Sequence, residues 1–65
     1  MKLWTYVGKN VRIELTDGQL FTGYAFGYDD EIYNESGEDS LNLKARTGGW
    51  YDFNESEIKS IEIID

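Results

Sequence analysis

The acidic side chains of this chain gather in one stretch. Asp29, Asp30, Glu31, Glu35, Glu38 and Asp39 fall within residues 29–39, with no base among them. Clustered carboxylates are the donors that a hard cation such as Ca²⁺ takes. The stretch lacks the Asp-x-Asp-x-Asp-Gly…Glu spacing of a calcium loop, so it reads as a solvated acidic loop rather than a metal site. Paired carboxylates beside Tyr and Lys could in principle support acid–base chemistry. The chain has no His and no Cys, which also removes disulfides and a Cys/His zinc site. A fold this small leaves little room for the pockets of ~300 Å³ or more that hold small ligands. The residues therefore predict a non-catalytic protein with no cofactor and no small-molecule substrate.

Charge bears on partners. Thirteen acids against six bases give a formal net charge of −7, which repels RNA and DNA unless the bases share a face. Lys2, Lys9, Arg12, Lys44, Arg46 and Lys59 are scattered along the chain. Folding could still gather Arg12, Lys44 and Arg46, which occupy outward phases of their strands. No run approaches the ~18 apolar residues of a membrane span, and no signal-peptide pattern is seen, so a cytoplasmic protein without a membrane partner is expected. Asn34-Glu35-Ser36 and Asn54-Glu55-Ser56 match the glycosylation pattern and read as chance in that setting.

The elements that must position these groups are short. Sixty-five residues make one domain, 1–65. A domain of this size buries only about 60% of its unfolded surface, so dense apolar packing or self-association must compensate. Leu3, Trp4 and Val7 have the spacing of one helical turn, stopped by Gly8, with a short strand as the competing reading. Val11, Ile13 and Leu15 alternate with Arg12, Glu14 and Thr16, the period of a half-buried strand over residues 11–16. Asp17-Gly18 is a hairpin turn. A long second strand follows over about 19–28, with Gly23 and Gly27 marking a bend or a close backbone approach. The third strand, 40–46, turns Leu41, Leu43 and Ala45 inward and Asn42, Lys44 and Arg46 outward. Thr47-Gly48-Gly49 is a turn, and a short fourth strand covers 50–53. Asn54-Glu55-Ser56-Glu57 reads as a cap with an acid three residues on, giving one 3₁₀ turn before a last strand at 60–64. The expected fold is all-β: a five-stranded, strongly bent antiparallel barrel of the SH3/Sm type, with a core of Val11, Ile13, Leu15, Phe21, Leu41, Leu43, Ile61 and Ile63.

Gly8, the alternating first strand, Asp17-Gly18, Phe21, Gly23 and Tyr28-Asp29 together resemble the opening of an Sm-like (LSm) β-barrel. The segment Glu57-Ile58-Lys59-Ser60-Ile61-Glu62-Ile63 is similar to the closing turn and fifth strand of that family. The likeness spans nearly the full length and extends to short bacterial Sm-like proteins, for which it implies a fold and no activity. In RNA-binding members, an aromatic-Asp-x-x-apolar-Asn loop bonds a splayed base and an Arg-Gly pair contacts it. Tyr28-Asp29-Asp30-Glu31-Ile32-Tyr33-Asn34 keeps the aromatic, the Asp and the Asn with one extra residue, so the resemblance names Asp29 and Asn34 as RNA contacts. The Arg-Gly pair is missing, since residues 50–56 contain no base. An oligomeric RNA binder is therefore the alternative, not the leading reading.

The family register also implies that Phe21, Gly23 and Ala25 face inward, which turns Tyr24 and Phe26 outward. Outward aromatics suit an interface core, so Tyr24 and Phe26 are the candidate contacts to an unknown protein partner or a second copy. The competing expectation is that Leu3 and Trp4 fold over them. Sm rings pair the fourth strand of one subunit with the fifth of the next. Here Asp52, Glu62 and Asp65 charge those edges, while Trp50, Tyr51, Phe53, Ile61, Ile63 and Ile64 could support pairing.

Overall fold

A computed structural model describes residues 2–33 and 37–64 of the chain. Five strands are present: β1 (Asn10–Leu15), β2 (Leu20–Asp29), β3 (Ser40–Ala45), β4 (Trp50–Asn54) and β5 (Ile58–Ile63). Three single 3₁₀ turns at Leu3–Tyr6, Glu31–Tyr33 and Glu55–Glu57 are the only helical elements among the described residues. The strands form one antiparallel sheet in the order β4-β3-β2-β1-β5. Among the described residues no ladder joins β4 to β5, so the sheet has two edges.

The expected turns do the connecting. Gly18 takes φ +92°, a conformation that L side chains rarely adopt, and the preceding Asp17 accepts from the Gln19 N–H at 3.0 Å and its side-chain amide at 2.7 Å. Those bonds, the backbone one first, hold the Asp17 carboxyl below its ordinary value. At the other end Asn54 N–H donates to Glu57 at 3.0 Å, the reciprocal half of a capping box, which tips the chain into β5.

Side chains from all five strands and the N-terminal turn fill the inner face. Leu3, Val11, Ile13, Ala25, Leu41 and Leu43 are fully out of water, joined by Leu15, Ala45, Phe53 and Ile58. Each fully buried Leu, Ile or Val contributes about 1.5–3 kcal/mol of transfer free energy. Phe21 lies 4.9 Å from the Tyr51 ring and 5.0 Å from Phe53, two strands away. Contact across an intervening strand on one face requires that the sheet curl inward. Gly23 permits the tight β2–β3 approach in that curl, since a Cβ there would meet the Lys44 carbonyl oxygen at 2.2 Å.

Three expectations about the core need correction. Ile63 is 49% exposed, because β5 is an edge strand with nothing beyond it. Phe21 and Ile61 are half-buried and pack against the core rather than within it. β5 begins at Ile58, two residues earlier than expected: a register shift at Glu14/Leu15 sets Ile58 opposite Leu15 and turns it inward.

Candidate functional site

The outer face of the sheet is where polar and aromatic side chains meet. The registers Asn10↔Tyr24, Tyr24↔Lys44 and Lys44↔Trp50 lay one row of residues across β1, β2, β3 and β4. Phe26 joins this face through a bulge. Ala25 pairs with Leu43 and Gly27 with Asn42, so Phe26 is the extra residue between them. Its ring meets Trp50 edge-on at 5.1 Å, and the Lys44 ammonium sits 5.1 Å from the Trp50 ring centre. Tyr24 and Phe26 are each 45% exposed and Trp50 is 64% exposed.

The two aromatics named from the sequence thus lie on the outward face, and the structure adds Trp50 to them. The signal for Trp50 was present: Asp52 marks the outward phase of β4, and Trp50 is two residues before it. Leu3 and Trp4 do not cover the patch. Leu3 is drawn into the core, and Trp4 packs edge-on against Tyr28 at 5.9 Å.

Arg12, Lys44 and Arg46 share the outward phase with these rings. Arg12 donates to Glu62 at 2.6 Å, and Lys59 lies 3.6 Å from Glu14. Neither Lys44 nor Arg46 has an ion-pair partner among the described residues. Near the β5 flank an open depression of about 320 Å³ is lined by Arg12, Glu14, Leu20, Ser60 and Glu62, whose charges mostly neutralise one another.

The acidic stretch begins at the end of β2 and is tied down. Asp29 accepts from the Asn42 amide at 3.1 Å, and the same amide donates to Asp52 at 2.6 Å. The Asp39 carboxylate accepts from Glu31 N–H at 3.0 Å. Glu38 accepts from Ser56 N–H at 2.9 Å and from its hydroxyl at 3.0 Å. Partial burial, then the hydrogen bond and charge of Asp39, then Asp30 and Glu31, push the Tyr28 phenol up to about 12. Asn34 lies outside the described residues. Among the described residues no group of acids is arranged to hold a metal ion, and no helix is long and apolar enough to cross a membrane. Comparison of the chain with family models, with curated proteins and with solved structures returns no match.

Proposed function

We propose that this chain is a non-catalytic protein-interaction module on a bent, Sm-like barrel, with the outer face of β2 as its docking surface. The observation that carries the reading is the group of Tyr24, Phe26 and Trp50, left exposed on the face of the sheet opposite the buried core. The strand order, the curl at Gly23 and the 3₁₀ turn before β5 support the barrel. The engagement of Asp29 by Asn42 counts against the RNA alternative, since the carboxylate already has a protein donor.

Burying Tyr24 and Phe26 against a partner contributes about 3–6 kcal/mol gross. Ordering and association consume much of that, so micromolar affinity is the ceiling for these two rings alone. The test is the Tyr24→Ser/Phe26→Ser double variant. It should keep the wild-type far-UV spectrum while losing the partner that wild type captures and that mass spectrometry identifies, or losing self-association in sedimentation. A variant that unfolds, or that captures the same partner, refutes the reading. Capture of uridine-rich RNA dependent on Asp29 would replace it with the alternative.

A further inference from the structure

We propose that the occupant of this face is a second copy of the same chain, laid face to face about a two-fold axis that runs along the Tyr24–Lys44–Trp50 row. The inference rests on the docking reading above and names the partner.

Taken together, the charges of the face cancel: Glu14, Asp29, Asp52 and Glu62 stand against Arg12, Lys44, Arg46 and Lys59. A partner chosen by net charge, acidic or basic, gains nothing from such a balance. The charges are nevertheless separated along the strands. On one side of the row the Asn42 amide holds Asp52 at 2.6 Å and Asp29 at 3.1 Å, and neither acid has an ion pair among the described residues. On the other side the next row carries the arginines. Arg12 pairs across with Thr22 and Glu62, and the Arg46 N–H donates to the Thr22 carbonyl at 2.9 Å. Arg12 is taken by Glu62, while Arg46 has no ion pair among the described residues.

A face with an acidic side and a basic side fits its own copy when turned over. Rotation about the row sets Asp52 of each copy over Arg46 of the other, so one pair is made twice, as an isologous contact requires. Asp52 stands two positions from Trp50, and Arg46 two from Lys44, which is about 7 Å along each strand. Their strands are neighbours in the sheet, about 5 Å apart, a lateral gap that an arginine side chain spans. Carboxylate and guanidinium then meet as a bidentate pair. The exposed rings meet their own counterparts along the axis.

The area sets the strength. The exposed parts of Tyr24, Phe26 and Trp50 amount to roughly 350 Å² on the 150–250 Å² scale of aromatic side chains. Two copies cover roughly twice that, short of the ~1,200–2,000 Å² of a stable interface. The inward curl of the sheet makes this face convex, which confines contact to the rows beside the axis. The dimer is therefore weak and reversible, with a dissociation constant on the order of 0.1 mM.

The experiment dilutes the ¹⁵N-labelled full chain from about 2 mM to about 20 µM, on either side of that constant. Salt is held near 0.15 M, where a screening length of about 8 Å quiets the net charge of −7 on each copy. Concentration-dependent shifts should centre on Tyr24, Phe26, Arg46, Trp50 and Asp52, while sedimentation moves from monomer to dimer. Arg46→Asp sets acid against acid and Asp52→Arg sets base against base, so each variant alone should associate at least ~10-fold more weakly. Mixed in equal amounts, the two variants regain both pairs and should associate with each other about as well as wild type. Lys44 lies on the axis and meets its own copy, so Lys44→Gln should tighten the dimer. Where a charge reversal spoils the fold, read by far-UV circular dichroism, Lys44→Gln decides.

A chain that stays monomeric at the highest concentration overturns the inference. So do shifts confined to the edges of β4 and β5, mixed variants that ignore one another, or a Lys44→Gln variant that associates more weakly. The docking reading survives each of these and is decided separately by capture with the Tyr24→Ser/Phe26→Ser variant.

Discussion

Replacing Gly23 with alanine is expected to be among the most damaging single-carbon additions to this fold. The new Cβ would sit 2.2 Å from the Lys44 carbonyl oxygen and 2.8 Å from the Ala45 Cα. Ordinary contact begins at 3.4 Å, so the shortfall to the oxygen is about 1.2 Å (3.4 − 2.2). The obstacle is backbone, which cannot rotate away. β2 and β3 must therefore separate where Gly23 pairs with Ala45. Losing roughly two ladder hydrogen bonds costs about 1 kcal/mol each. Residual overpacking adds about 1–3 kcal/mol, and the lower unfolded-state entropy of alanine returns up to about 1 kcal/mol. The net loss is about 2–5 kcal/mol, from a total of roughly 3–10 kcal/mol for a domain of this length. Gly27→Ala is the internal control, because the nearest atoms to its Cβ belong to the Asn42 side chain, with Oδ1 at 2.7 Å. Asn42 can shift at the expense of its bonds to Asp29 and Asp52, so about 1 kcal/mol is expected. Urea unfolding followed by far-UV circular dichroism measures both. A Gly23→Ala variant within ~0.5 kcal/mol of wild type, or milder than Gly27→Ala, refutes the close-approach argument.

Leu43 is fully buried at the centre of the inner face, so Leu43→Ala should cost about 2–5 kcal/mol and leave little folded protein at 37 °C, read by thermal unfolding. Because the Tyr28 phenol is raised in the fold, the folded state holds its proton where the unfolded chain loses it. Its contribution is therefore full below the unfolded value near 10 and is lost as pH climbs toward about 12. Urea midpoints from pH 8 upward should fall over that window, and Tyr28→Phe should flatten the fall. Asp17 works with the opposite sign: its lowered carboxyl stabilises above the ordinary range, and the gain disappears as pH drops through the folded value. Asp17→Asn should therefore reduce the acid dependence of the urea midpoint.

Much of the architecture is legible in the chain because its cues agree with one another. Val11, Ile13 and Leu15 alternate cleanly and are all buried, and the Asp17-Gly18 turn and the Glu57 cap form where their chemistry asks for them. The misses have physical causes. Ile63 follows the inward rhythm, but rhythm does not reveal that a strand is last in its sheet. The outward turn of Tyr24 and Phe26 was an expectation from the register that the Sm-like resemblance implies. Trp50 was named only for edge pairing, and its place beside Phe26 and Lys44 was not legible because those partners come from two other strands. Tyr24, Phe26 and Tyr28 are spaced two apart and look alike, yet Tyr28 pairs with inward Leu41. Nothing in that run announces the extra residue that separates it from the other two.

That extra residue has a consequence at the level of heredity. Losing one codon inside a strand normally turns every later side chain to the wrong face. In β2 there is one position where the rule is suspended. Ala25 already pairs with Leu43 and Gly27 with Asn42, so removing Phe26 would let two correctly aligned halves join without disturbing either neighbour. The lesion that a strand tolerates least becomes, at this position, one that it absorbs. What disappears is an exposed ring and its contact with Trp50, not the core. A lineage could therefore gain or shed this part of its outer face in a single in-frame event, with the alignment of both halves of β2 against β3 preserved.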